Sequence, residues 1–340
     1  MSRALFIRGA HDVGVAPFNL RERREGEVLI DVASVGVCGS DLHYYKDGGI
    51  GSAVIKRPFV PGHEIGGCLC DAVDELGLGR GQLVAVDPNK SCGHCEWCRE
   101  GYANLCPNVE FIGAPPFDGA MTERLWAPKS QLVALPESFD ALDAVMLEPL
   151  GVAIHAVRLA KPQMLERVGV LGCGPIGLLI IQVLKAAGAG ETLACDPLLH
   201  RRAMAEKLGA DRVGDSAASL VEWSKGGCPL VLEATDSPFG FRDAVCATRI
   251  GGRIVLVGIP DGDTYTLPAA DARRRGLKIK FARRMGDVYP LAIQFLAAGK
   301  IDVRSIVTHR VGLEEAPGVF AALANNSPGY GKALIDLKRP

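Results

Sequence analysis

The clearest pattern of apolar and polar positions lies in the middle of the chain. Residues 168 to 187 read VGVLGCGPIGLLIIQVLKAA, in which four apolar residues, Val168 to Leu171, run into a glycine turn and then a longer stretch rich in Ile, Leu and Val. The short run predicts a buried strand and the longer one a helix. Strand-like runs recur at ETLACD, which ends at Asp196, and at PLVLEAT (229 to 235), GRIVLVGI (252 to 259) and LKIKF (277 to 281). The helical LHRRAMAEKLGA (199 to 210) falls between two of them. Short strands alternating with helices predict a parallel sheet covered on both faces. The segment GGRIVLVGIP could end in an edge strand that pairs with another subunit, but the sequence shows no interface.

The turn itself spells Gly172-x-Gly174-x-x-Gly177, with Pro175 and Ile176 inside it. The first glycine permits the tight turn, the second lets a pyrophosphate approach the backbone, and the third lets helix and strand pack closely. The helix N-terminus then offers unpaired N–H groups to the phosphates. Asp196, at the end of the next strand, is placed to accept the adenosine ribose hydroxyls and to repel the extra phosphate of NADP, so NAD is the expected cofactor. His200 and Arg201 either reach an adenosine phosphate or lie on the wet face of their helix.

Composition narrows the class. The 340 residues are 48% apolar and 23% charged, with a net charge of −1, which is long enough for two domains and gives no footprint for nucleic acid. The opening MSRALFIRGAHDVG lacks a signal-peptide pattern, and no apolar run is long enough to span a bilayer, so a cytoplasmic protein without membrane attachment is expected. There the eleven cysteines read as metal ligands and buried apolar residues, not disulfides.

Four of them crowd into SCGHCEWCREGYANLCP: Cys92, Cys95, Cys98 and Cys106. Thiolates at this spacing can wrap one zinc tetrahedrally, with Gly93 relieving backbone strain; an iron–sulfur cluster and unligated thiols are the competing readings. A shell of four thiolates leaves no position for substrate, so this zinc is structural. A second set is scattered: Cys38 in GVCGSDLHYY and His63 and Glu64 in VPGHEIGG. One thiolate, one imidazole and one carboxylate suit zinc and leave a position open, and Glu148 in MLEPLGVAIHA could complete the shell or hold a water. Nothing in the local sequence proves that these loops meet. Each residue also has an ordinary structural reading as a buried cysteine, a turn pair or a helix-start carboxylate.

The combination of CGSD, GHE, a four-cysteine lobe, EPLGVAIHA and GCGPIG, in that order, resembles the zinc-dependent medium-chain alcohol dehydrogenases, and within them the polyol branch of sorbitol, xylitol and L-idonate dehydrogenases. The resemblance covers nearly the whole chain. It implies an α/β protein: a GroES-like β-rich catalytic domain, residues 1–152 and 286–340 with a structural-zinc lobe at about 88–110, and a central Rossmann domain, residues 153–285. It implies an active site in the cleft between them. Cys38, His63 and Glu64 match the catalytic zinc ligands, giving two zinc ions per chain, and Glu148 matches the acid that reaches the metal directly or through water. Ser40 and His43 match the hydroxyl and imidazole through which the substrate proton leaves. Tyr44 and Phe111 match the substrate pocket. Arg284 corresponds to a basic residue near the nicotinamide, with Arg283 leaving that register open by one. Asp196 and Arg201 match the adenosine-ribose positions, and Gly258 and Ile259 the strand end nearest the nicotinamide.

The activity so implied is hydride transfer from a secondary alcohol of a polyol or sugar acid to NAD, giving a ketone, in a homo-dimer or homo-tetramer. The alternatives are an L-threonine 3-dehydrogenase or general alcohol dehydrogenase of the same family, a zinc-ribbon nucleic-acid binder, and a non-catalytic member of the fold. The chain departs from the family at Val73, where a small residue is usual, and at Met285, where polyol members carry an aromatic residue, which implies a pocket of different shape. Some animal sorbitol dehydrogenases lack the four-cysteine zinc.

Overall fold

The structure, a computed structural model, describes residues 2–262 and 264–337. The chain opens with the hairpin β1 (Ser2–Gly9) and β2 (Asp12–Phe18), then β3 (Glu27–Gly36), α1 (Gly39–Asp47), β4 (Glu64–Leu69), β5 (Leu83–Val86), β6 (Arg124–Pro128) and β7 (Leu132–Ala134). The helix α2 (Ala141–Ala160) follows, with Pro149 inside it. Proline supplies no N–H to the helical ladder. The two compact units of the chain divide at this point, between Glu148 and Pro149.

The second unit runs Pro149–Ile306. It contains β8 (Val168–Leu171), α3 (Pro175–Ala186), β9 (Thr192–Cys195), α4 (Leu199–Lys207), β10 (Arg212–Gly214), β11 (Cys228–Glu233), α5 (Gly240–Ala247), β12 (Thr248–Leu256), β13 (Lys278–Phe281) and α6 (Tyr289–Ala297). Its sheet is entirely parallel in the order β10-β9-β8-β11-β12-β13. Strands covered on both faces need continuous apolar runs, and β8 and β9 are buried at every residue. The order makes one correction: GRIVLVGI lies inside the sheet as β12, and β13 takes the edge. PLVLEAT leaves the sheet at Glu233, whose carboxylate accepts the Thr235 N–H at 2.8 Å and turns the chain.

The chain then returns to the first unit with β14 (Val307–Gly312) and β15 (Lys332–Asp336). The sequence placed this return near residue 285. Residues 286 to 306 instead pack with the second unit, where the Gln182 side chain donates to Asp302 O at 3.1 Å and accepts its N–H at 2.7 Å. The sheet of the first unit has the order β7-β5-β4-β3-β15-β14, with β6 also paired to β3. It is antiparallel except for β14 and β15. Its core includes Leu5, Ile30, Val35, Phe59, Ile65, Met121 and Phe320.

In the second unit the three glycines of the turn differ physically. Gly172 has a φ of +88°, and a Cβ there would meet Ala234 O at 2.7 Å. A Cβ on Gly177 would overlap the Gly172 carbonyl oxygen, whereas one on Gly174 would meet nothing within 4 Å. Gly177→Ala should therefore cost about 2 kcal/mol or more of stability, seen as a lower urea midpoint. Gly174→Ala, at an ordinary φ of −70°, should keep that midpoint and lose affinity in a dinucleotide titration.

Candidate metal centre and nucleotide turn

Three neighbouring strand ends build the candidate centre of the first unit. Glu64 opens β4 and pairs in register with Gly36, the last residue of β3. On the other side of β3, Lys332 opens β15, and Val37 N–H donates to Ala333 O at 3.0 Å. A Cβ on Gly36 would overlap Glu64 Oε2, so the missing side chain leaves the space in which Glu64 lies. The Lys332 ammonium contacts both Glu64 carboxylate oxygens and donates to Val37 O at 3.0 Å. Cys38 follows two residues after β3 and caps α1, and Asp41 in the first turn accepts its N–H at 2.9 Å and that of Gly62 at 3.2 Å. These bonds fix the loop that carries His63, whose Nδ1 lies 3.8 Å from Asp41 Oδ1.

One ligand atom from each of Cys38, His63 and Glu64 lies within 4.8 Å of the others. The structure thus brings together three residues that the sequence scattered. Glu148 is outside that set, yet its carboxyl feels the charges of His63, Glu64 and Lys332. Phe111 packs its ring 5.5 Å from that of His63. His43 is buried, with Nδ1 3.1 Å from Oδ2 of the exposed Asp47, one turn along the same helix from Ser40. Tyr44 is buried in the apolar core, edge-on to Phe59 at 5.3 Å.

The electrostatics of the centre are those of desolvated acids. Asp41, Glu64 and Glu148 are all buried, and burial pushes the Asp41 carboxyl up and the Glu148 carboxyl up to about 7. Burial alone would lower His63, but the negative charges of Cys38 and Asp41 outweigh it and raise the imidazole to about 10. Likewise, Glu64 and Cys38 hold Lys332 protonated against the cost of burying it. A pocket that draws a proton so strongly onto a histidine is one that favours added positive charge. His63 Nδ1 is buried without a hydrogen-bond partner, and the donor set is one sulfur, one nitrogen and one oxygen. The residues present therefore fit a divalent ion of the zinc type.

The four-cysteine lobe hangs between two short strands, Asn89–Lys90 and Glu110–Phe111. The four sulfurs lie within 4.8 Å of one another, with Cys95 and Cys98 at 3.4 Å and Cys95 and Cys106 at 3.9 Å. Backbone N–H groups of His94 and Cys95 pull the Cys92 thiol down to about 6. Gly93 takes the left-handed φ of +75°. All eleven cysteines are free thiols.

In the second unit, Asp196 is buried, and its two oxygens accept the N–H groups of Cys173 and Leu198, each at 2.9 Å. It therefore ties the glycine turn to the end of β9. Arg201 lies 3.9 Å from it, and Arg202 donates to its backbone carbonyl at 2.8 Å. A Cβ on Gly258 would overlap Thr235 O, and Ile259 beside it is partly exposed. Arg284 has a positive φ of +54°, while Met285 is buried with its sulfur over Gly151, where a Cβ would clash.

Sequence reasoning missed Asp41, Lys332 and Glu233. A signal existed for each. Asp41 stands three residues after Cys38 at a helix start, Lys332 opens the apolar run KALI, and Glu233 is a single charge in LVLEAT.

A β-rich unit with two thiol-bearing metal sets, joined to a doubly wound nucleotide unit, defines the class of metal-dependent dehydrogenases that act on alcohols. Comparison with known proteins makes this specific. Residues 24–137 match the family model for the alcohol dehydrogenase GroES-like domain, and residues 175–298 the model for zinc-binding dehydrogenases. The chain is 32% identical over 322 residues to a sorbitol dehydrogenase of Bacillus subtilis, covering 92% of this chain and 91% of that one. It is 33% identical over 318 residues to an L-idonate 5-dehydrogenase of Vitis vinifera, covering 90% and 87%. Two solved structures share the fold with a TM-score of 0.88, 27% identity and 99% of both chains covered. One is an alcohol dehydrogenase of Escherichia coli CFT073 in complex with NADH, the other a zinc-binding dehydrogenase of Sinorhizobium meliloti 1021 bound to NADP. The chain belongs to the zinc-dependent medium-chain alcohol dehydrogenases. Among the described residues no helix is long and apolar enough to cross a membrane.

Replacing Lys332 by Met leaves Glu64 buried without its cation. In metal-free protein this should cost about 3 kcal/mol, the range for breaking a buried ion pair. The loss should shrink when zinc is added, because the ion supplies positive charge to the same acids. Urea titrations with and without zinc measure both.

Proposed function

We propose that this dehydrogenase oxidises a secondary alcohol of a polyol or sugar acid to a ketone, with NAD as the acceptor and two zinc ions per chain. The observation that carries the reading is the contrast between two metal sets. The four thiolates of the lobe would close a tetrahedral shell, whereas Cys38, His63 and Glu64 supply three ligands and leave a position for substrate. The sorbitol and L-idonate relatives support the substrate class.

Cys38, His63 and Glu64 would hold the working zinc, with Glu148 at its margin, and Cys92, Cys95, Cys98 and Cys106 the structural one. When bound, the zinc supplies a Lewis acid for the alcohol oxygen and the nicotinamide supplies the hydride acceptor. The chain's own groups manage position and the proton. Asp41 holds the loop that carries His63 through the Gly62 N–H, and Lys332 fixes the Glu64 carboxylate. Ser40 passes the hydroxyl proton to His43, whose Nδ1 faces the exposed Asp47, a route to solvent. Asp196 opposes a ribose phosphate and favours NAD over NADP. Tyr44 acts from beneath the pocket surface, and Arg284 or its neighbour acts near the nicotinamide.

The eleven free thiols suit a reducing cytoplasm. Assembly as a homo-dimer or tetramer is open to sedimentation analysis.

A panel of polyols, sugar acids, threonine and primary alcohols, assayed with both cofactors, should give turnover with the first two classes and NAD. Turnover confined to threonine would replace the substrate assignment. Cys38→Ser should abolish turnover and remove about one zinc per chain while NAD still binds, because the ligand is lost but the nucleotide unit is untouched. Cys95→Ser should instead lower the melting temperature first. Normal turnover in Cys38→Ser protein lacking that zinc would reject the mechanism.

A further inference from the structure

The nucleotide unit holds a buried acid with no part in the chemistry above. Glu233 is the last residue of β11, which lies beside β8 where the strand order reverses. In register it stands between Leu171, the residue before the glycine turn, and Leu256, two residues before Gly258. In doubly wound sheets the ligand sits outside the carboxyl ends of the strands at this switch point.

Its side chain is fully buried. Oε1 accepts the Thr235 N–H at 2.8 Å and also the Thr235 hydroxyl. Among the described residues Oε2 is buried with no hydrogen-bond partner, and the Gly258 backbone N–H favours the charged form of the carboxyl. The other groups around it bring no positive charge. Asp236 in the following turn is a second acid, a Cβ on Gly240 of α5 would lie 2.5 Å from Oε1, and the Tyr265 hydroxyl is turned to Gly258 O at 2.7 Å. A glutamine could keep an acceptor for Thr235 without a stranded charge. What only the acid adds is a negative charge, and burial strengthens its reach.

We propose that Glu233 discriminates between the two redox states of the cofactor: its buried charge favours the cationic oxidised nicotinamide over the neutral reduced one. The two states differ in ring charge while sharing the ribose and pyrophosphate contacts, so a fixed negative charge at the switch point acts on their ratio. The protein then loads oxidised cofactor and releases the reduced form more readily, which suits alcohol oxidation. The inference rests on the dinucleotide reading of this unit. Burial pushes the carboxyl up to about 7, so it is ionised in mildly alkaline solution.

The test uses the full-length, zinc-loaded protein. Dissociation constants for NAD and NADH are measured in mildly alkaline buffer for the wild type, Glu233→Gln and Glu233→Asp. Glutamine should move the ratio of the two constants about tenfold toward NADH, and aspartate should keep the wild-type preference. Equal changes in both constants with glutamine would reduce Glu233 to a packing group and overturn the proposal. If the glutamine variant fails to fold, the wild type itself serves: acidifying below about 7 protonates Glu233 and should move the ratio the same way. An unmoved ratio there overturns the proposal. A wild type that binds neither dinucleotide would instead refute the underlying reading, and that outcome is distinct because both constants are lost.

Discussion

A lysine ammonium inside an apolar sheet is tolerable only when another desolvated charge offsets it, and the contact between Lys332 and Glu64 meets that condition at the centre of the first unit. The contact spans three adjacent strands, because Lys332 and Glu64 open the two that flank β3. It fixes a carboxylate that would otherwise be free to choose among rotamers, and it does so beside a thiol and an imidazole. The Cys38 thiolate, with Asp41 and then Glu148, leaves the pocket rich in negative charge, which outweighs burial and raises the His63 imidazole. An ion of charge two answers the same demand. The fit of this pocket to a divalent ion thus rests on charge balance as much as on ligand spacing.

The second unit solves a different problem, that of bringing backbone close to backbone. Gly172, Gly177 and Gly258 each occupy a place where a Cβ would meet a carbonyl oxygen, and together they let β8, β11 and β12 end side by side. Asp196 closes this arrangement by holding two backbone N–H groups, one of them in the glycine turn. The same residue that the sequence marks as a candidate ribose acceptor is therefore also a brace for the glycine turn.

The sequence made the nucleotide unit legible because parallel, doubly covered strands must be written as uninterrupted apolar runs. Its errors fell where local chemistry is ambiguous. Nothing local in GRIVLVGI tells an edge strand from an inner one, and the return to the first unit falls later in the structure, after Ile306. The four-cysteine lobe was readable because its ligands are contiguous. Cys38, His63 and Glu64 were readable as candidates only, since their meeting depends on the pairing of β3 with β4. Lys332 stood out only as a charge at the start of an apolar run, and its role was hidden for the same reason, its partner lying 268 positions away. For Tyr44 the sequence does not tell whether an aromatic residue beside a site faces the ligand or the core.

Gly36 has a consequence for how such a centre can change over time or in the laboratory. Its backbone is ordinary extended strand, so nothing in its own conformation demands glycine; the demand comes from the glutamate on the next strand. A smaller ligand at position 64 would relax that demand but strand the lysine. The three positions form one inherited unit, and a new metal-binding chemistry here would have to be reached by altering strands far apart in the gene together.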